Sequence, residues 1–267
     1  MALPGLIVCD IDGTLVNSEK QVSGENREAI REYRERGGMF SLATGRIEKS
    51  VNRFCRELNL DVPMILYNGA RIVHPVTGEV ILDRLLSRED VERTEALLET
   101  IPLEPIFFIR GEGYVRRVTP AIETYQKGDG FLCRVLGPEE KPAELPVTKI
   151  LMIGHESHFG PFREGFARDP RCTAALVQSE VNFLEVLPEG TNKGNALKVL
   201  AAHLGLKLDQ TAAFGDNPND LEMIETAGLG VAMANGHESL KALADRIAPS
   251  HNDHGVAVVI RELLEGE

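Results

Sequence analysis

Three observations predict an α/β chain with a doubly wound parallel sheet and an inserted α+β unit. Short apolar runs stop at acids or glycine, helical periodicity follows them, and this alternation is interrupted once before it resumes. The first run, "LIVCDIDGT", ends at Asp10 and reads as a buried parallel strand emptying into a loop. Apolar positions Ala29, Ile30 and Tyr33 then recur at helical spacing between Ser23 and Arg36, and Gly37-Gly38 supplies the stop. "MFSLA" is a second strand ending in Thr44-Gly45, Ile47 to Leu58 a second helix, and "MILY" a third strand of the same parallel sheet.

From about Ser87 the pattern changes. Ser87 caps a helix with Asp90 three residues later, and "EPIFFIRGEGYVRRV" reads as a hairpin around Gly111-Glu112-Gly113. A short helix at Ala121 to Gln126, a strand at "FLCRVL", a Pro- and Glu-rich loop from Gly137 to Pro146, "KILMIG", a helix near Phe159 to Ala167, and strands "TAALVQ" and "NFLEVL" complete the interruption. Adjacent strands of this kind imply an antiparallel sheet. After Pro188, "NKGNALKVLAAHLG" is a helix and "TAAFGD" a strand ending in acid, and "GLGVAMANG" and "GVAVVIRELL" supply a last strand and a terminal helix. Residues 1–84 and 189–267 are thus expected to form one discontinuous unit, and residues 85–188 the insertion.

With 267 residues, 43% hydrophobic and 26% charged, the chain can bury a sizeable core. Its formal charge of -12, from 29 Lys and Arg against 41 Asp and Glu, opposes binding to a phosphate backbone, and the absence of Trp with only 5% aromatics leaves little to stack on bases. Nucleic acid is therefore excluded as a partner. Cys9, Cys55, Cys133 and Cys172 are scattered, without CxxC or zinc-site spacing, so free thiols are expected. No apolar run approaches the roughly 18 residues of a membrane span, and no basic leader precedes Leu6, which points to the cytoplasm and away from membranes.

Polar residues gather at strand ends, where open α/β sheets bind ligands. Asp10 and Asp12 could form a calcium loop, but the EF-hand positions for Gly and Glu hold Leu15 and Gln21; a turn stabilised by Asp side chains is the other plain reading. Thr44 could cap a helix. Lys193 in a first helical turn opposes the macrodipole by about 0.3–1 kcal/mol, and Gly194 adds roughly 0.5–1, so either a bound phosphate supplies the compensating anion or Lys193 is an ordinary solvated surface residue. In "GDNPND", Asn217 can cap a helix that Pro218 begins, with Asn219 and Asp220 in its first turn. Taken together, these elements bring acids, a hydroxyl and an ammonium to one rim, a set suited to metal-assisted chemistry on a phosphate monoester, with Asp10, the Asp12 carbonyl and Asp216 offering oxygen ligands to Mg²⁺.

"DIDGT", "LATGR", "NKGNAL" and "GDNPND", in this order, resemble the four motifs of the haloacid dehalogenase-like phosphohydrolases. The insertion resembles the type IIB cap of the Cof-like branch, as do "ILYNGARI" and "GVAMANG", apart from the lack of a helix between "FLCRVL" and "KILMIG". The resemblance implies a Rossmann-like core with a cap that selects a small phosphate ester, most simply a sugar phosphate. It implies Asp10 as nucleophile through an aspartyl-phosphate and Asp12 as general acid and base. It further implies Thr44, Gly45, Lys193 and Asn219 as phosphate ligands, Asp10, Asp12 and Asp216 around Mg²⁺, Asp220 behind them, and Arg46 as a substrate contact. A phosphomutase, a dehalogenase and a non-catalytic phospho-ligand sensor are the competing functions; Asp12 argues against the second and the complete polar set against the third.

Overall fold

Every side chain of β1 (Leu6–Cys9) is buried, because this strand lies inside its sheet, with a paired strand on either side, rather than at its edge. The computed structural model describes residues 3–266. They fall into two units: one comprises the chain up to Gly45, Asn52–Leu82 and the chain from Asn192, and the other comprises Arg46–Val51 and Asp83–Thr191.

In the first unit, α1 (Gly24–Glu35) begins where the Ser23 side chain accepts the Asn26 N–H, and it buries Ala29, Ile30 and Tyr33. Then follow β2 (Met39–Leu42), α2 (Glu48–Glu57), which counts with the second unit up to Val51 and with the first from Asn52, β3 (Met64–Leu66), β4 (Arg71–Val73) and β5 (Val80–Asp83), whose last residue opens the second unit. The second unit supplies α3 (Arg88–Leu98), β6 (Glu104–Ile109), β7 (Glu112–Val115), α4 (Pro120–Asp129), β8 (Arg134–Val135), β9 (Val147–Ile153), α5 (Phe159–Ala167), β10 (Ala175–Glu180) and β11 (Phe183–Leu187). The chain returns to the first unit through α6 (Lys193–His203), β12 (Thr211–Gly215), α7 (Leu221–Thr226), β13 (Leu229–Met233), α8 (Glu238–Leu243), β14 (Arg246–Ala248) and α9 (Gly255–Glu265).

The main sheet has the order β14-β13-β12-β1-β2, and its pairings are parallel. From β1 the chain runs to β2 on one side, and the strands from the C-terminal stretch lie on the other. The order therefore reverses between β1 and β12, the point at which α/β sheets open a crevice for ligands. Leu6 and Val8 pack with Leu197 and Leu200 of α6 and with Met223 and Ile224 of α7. Asn26 ties α1 to the first loop and to the last helix: its amide donates to the Leu15 carbonyl and its oxygen accepts the Ala257 N–H, each at 3.0 Å.

"MILY" does not extend the parallel sheet as a full strand. A single parallel bridge joins Ile65 to Ala43, whereas β3 pairs antiparallel with β4, whose other neighbour is β5. The turn at Tyr67–Gly69 reverses the chain before a helical crossover can form. In the second unit the sheet order is β10-β11-β9-β6-β7-β8, antiparallel as expected except that β8 joins β7 in parallel. Helix α4 separates β7 from β8 and carries the chain back, which turns a further hairpin into a crossover. Between β8 and β9 there is a single 3₁₀ turn, Pro142–Glu144. Phe107, Ile150, Met152, Leu184 and Val186 of this sheet pack with Leu97 of α3 and with Phe162 and Phe166 of α5. No helix among the described residues is long and apolar enough to cross a membrane.

Candidate active site

Asp10 follows β1 directly, and its N–H donates to the Phe214 carbonyl of β12 at 3.0 Å. This ladder contact brings the ends of β1 and β12 side by side, so Asp10 and Asp216, distant in the chain, meet at the reversal point. Gly13 has φ +80°, and a Cβ on it would lie 2.3 Å from an Asp216 carboxylate oxygen, so glycine alone permits that approach. Thr14 then donates its hydroxyl to Asp216 Oδ1 at 2.9 Å. The glycine and threonine of "DIDGT" thus place the acid of a segment two hundred residues on.

Lys193 begins α6 and is fully buried. Its Nζ donates to Asp10 Oδ1 and to Asp220 Oδ1, each at 2.6 Å. The anion that offsets a cation in the first helical turn is therefore supplied by carboxylates of the protein itself rather than by a phosphate, and the burial of the side chain rules out a solvated surface lysine. Gly194 has a separate cause, since a Cβ there would lie 2.3 Å from the Glu222 carbonyl oxygen. Asp220 uses its other oxygen, Oδ2, to accept the N–H groups of Asp216 and Asn217 at 3.0 and 3.1 Å. It both closes the turn begun by Asn217 and holds Lys193; the capping reading and the functional reading describe one side chain.

Asp10, Asp216 and Asp220 are buried and can each turn an oxygen to within 4.8 Å of the others. Burial pushes the Asp10 carboxyl well above its ordinary value, against the pull of Lys193, and the charges of Asp220 and Asp216 add to that rise. Burial and then the Asp220 charge push Asp216 up to about 6, against its hydrogen bond from Thr14. For Lys193 burial acts to lower the value, but the charges of Asp10 and Asp220 outweigh it and hold the ammonium above its usual range. Three acids face one ammonium in a water-poor pocket, and the donors that converge are oxygens. A hard divalent cation fits that donor set and that excess of negative charge.

Asp12 stands apart from this cluster. Its Oδ1 accepts from Lys20 Nζ at 2.8 Å, in a half-exposed ion pair. Thr44 is buried and is not a helix cap, since α2 begins four residues later at Glu48. Its N–H donates to the Ile65 carbonyl at 2.9 Å and its carbonyl accepts the Asn68 N–H at 3.0 Å. Asn219 donates its amide to Asn68 Oδ1 at 3.0 Å. Gly45 lies against Asn68. Arg46 is half-buried and belongs to the second unit. Residue types gave no role to Thr14, Lys20 or Asn68; Thr14 sits inside "DIDGT" and Asn68 inside "ILYNGARI", whereas Lys20 depends on a turn with left-handed backbone.

Comparison with known proteins places these features in context. The family model described as haloacid dehalogenase-like hydrolase matches residues 7–260. The phosphatase YwpJ of Bacillus subtilis is 31% identical, with 97% of this chain and 99% of that protein covered. The 5-amino-6-(5-phospho-D-ribitylamino)uracil phosphatase YwtE of the same organism is 30% identical over 98% of each. Among solved structures, a haloacid dehalogenase-like hydrolase from Bacteroides thetaiotaomicron superposes with a TM-score of 0.87 at 30% identity, covering 97% of this chain and 99% of that one.

Proposed function

Because the chain belongs to the haloacid dehalogenase-like hydrolases and is a phosphatase of that family, we propose that it hydrolyses a small phosphorylated metabolite, most simply a sugar phosphate, with Mg²⁺ and through an aspartyl-phosphate. The observation that carries this reading is the buried Asp10–Lys193–Asp220 chain of hydrogen bonds beside Asp216.

Asp10 attacks phosphorus, and its position against Lys193 keeps one carboxylate oxygen fixed while the other faces the incoming group. Lys193 has three N–H donors, of which two are committed to acids, leaving a third for a phosphoryl oxygen. Thr44 and Gly45 after β2, and Asn219, supply further donors to the same group. Asp12 protonates the leaving alcohol and then takes a proton from the attacking water. Asp10, the Asp12 carbonyl and Asp216 would hold Mg²⁺, with Asp220 behind them fixing Lys193. Bound there, the ion would neutralise the clustered acids and polarise a phosphoryl oxygen. The division of labour follows from magnitudes: one general acid supplies about 10²–10⁴, far short of the accelerations of up to about 10²¹ that phosphate-monoester hydrolysis reaches, so positioned charge carries most of the rest.

Residues 85–188 act as the cap, with Arg46 as a substrate contact, and the protein works in the cytoplasm. The sugar-phosphate assignment is supported by the phosphorylated ribityl chain of the substrate after which YwtE is named. Asp10→Asn is the direct test. It should lower phosphate release from p-nitrophenyl phosphate with Mg²⁺ by more than about 10³-fold while leaving the circular dichroism spectrum unchanged; release at the original rate would reject the reading.

A further inference from the structure

The turn after β3 places two consecutive residues other than glycine in the left-handed region, a conformation that asparagine tolerates and tyrosine does not. Tyr67 and Asn68 have φ of +51° and +55°, in the left-handed region, and both are buried. Such a conformation costs roughly 1–2 kcal/mol per residue, and it persists where the surroundings over-determine it. Glycine at position 68 would adopt the same backbone at no steric cost. A buried asparagine there points to a use for the side chain.

That use is visible in its contacts. The Asn68 N–H donates to the Thr44 carbonyl at 3.0 Å, and Asn68 Oδ1 accepts from Asn219 Nδ2 at 3.0 Å. A Cβ built on Gly45 would lie 3.1 Å from both Oδ1 and Nδ2 of Asn68. One residue thus links the turn after β2 to the turn after β12, the two segments that supply Thr44, Gly45 and Asn219. Each of these elements lies in the first unit.

We propose that Asn68 is a positioning residue for phosphoryl binding: its carboxamide fixes the Asn219 amide and seats the Thr44–Gly45 turn. With one N–H of Asn219 committed to Asn68, the second is aimed at a phosphoryl oxygen. The inference rests on the phosphatase reading above and adds a residue that none of the four motifs contains.

Asn68→Gly separates the side chain from the backbone. It keeps the left-handed turn, so the melting temperature should stay level or rise, while kcat/KM for p-nitrophenyl phosphate with Mg²⁺ falls about 10–100-fold, the scale of losing an orienting contact. Asn68→Ala should show the same loss with a lower melting temperature. Asn219→Ala should match it, and the double variant Asn68→Gly, Asn219→Ala should lose no more than either alone. Orthovanadate affinity, measured by calorimetry, should weaken in the same order. Wild-type kcat/KM in Asn68→Gly, or losses that multiply in the double variant, would overturn the inference while leaving the phosphatase reading in place. A wild type that neither turns over the ester nor binds orthovanadate would remove both.

Discussion

The Asp12 carboxylate rests on Lys20, whose own backbone is left-handed at φ +59° in a tight turn where Asn17 Oδ1 accepts the N–H groups of Glu19 and Gln21. An exposed ion pair of this kind contributes about 0.2–1 kcal/mol, so its removal limits any rate loss to about fivefold. We expect Lys20→Met to lower kcat/KM by up to that factor for alkyl phosphates, whose leaving groups need an acid. The effect should be smaller for p-nitrophenyl phosphate, whose leaving group does not. Equal effects on both esters would detach Lys20 from the acid's work. At this scale the meeting of Asp10, Lys193, Asp216 and Asp220 was legible in the sequence because each stands at a strand end or opens a helix, whereas Asp12, expected with them, pairs with Lys20 instead. The cause assigned to Lys193 was not, because the carboxylates that offset its charge come from segments far away in the chain. Lys20 stayed hidden because a left-handed turn places it, and Asn68, although inside "ILYNGARI", because its partner Asn219 lies far away in the chain.

Among elements, periodicity identified the long ones and failed on the short. Helix α3 begins with the Ser87 and Asp90 capping box read from the sequence, and Asp90 also accepts the N–H groups of Thr173 and Ala174 at 3.0 and 3.1 Å, which no local pattern shows. Strands β4, β5 and β14 and helix α8 have too few residues to display a period. The parallel β7–β8 pairing depends on α4, not on the composition of either strand. On β9 and β11 a charged pair occupies sheet positions: Lys149 Nζ donates to Glu185 Oε1 at 3.0 Å, both side chains buried, with the Phe108 ring centroid 5.1 Å from the ammonium. Removing one partner of a buried pair leaves an uncompensated charge. Lys149→Met should therefore cost about 3–5 kcal/mol in urea unfolding, and Lys149→Met with Glu185→Leu should recover most of it. Equal stability of the wild type and the single variant would contradict this account of the sheet.

At the scale of the whole molecule, two of the hydrophobic clusters among the described residues are drawn from separate stretches of chain. One lies entirely between Leu86 and Val186, and the other uses residues on both sides of that interval, including β1 and β12. A fragment of residues 83–191 should therefore fold alone, giving dispersed amide resonances and a cooperative melt, whereas a chain ending before Thr211 should not fold, because β1 loses its β12 partner. A disordered 83–191 fragment would show that its cluster is insufficient. The central chemical claim is that Asp10 becomes phosphorylated during turnover. Borohydride reduces an acyl phosphate, so quenching a reaction mixture with it and mapping peptides by mass spectrometry tests the claim most directly. The account predicts conversion of Asp10 to homoserine only when both Mg²⁺ and the phosphate ester are present; turnover that leaves Asp10 unmodified, with the label on another acid, would contradict it.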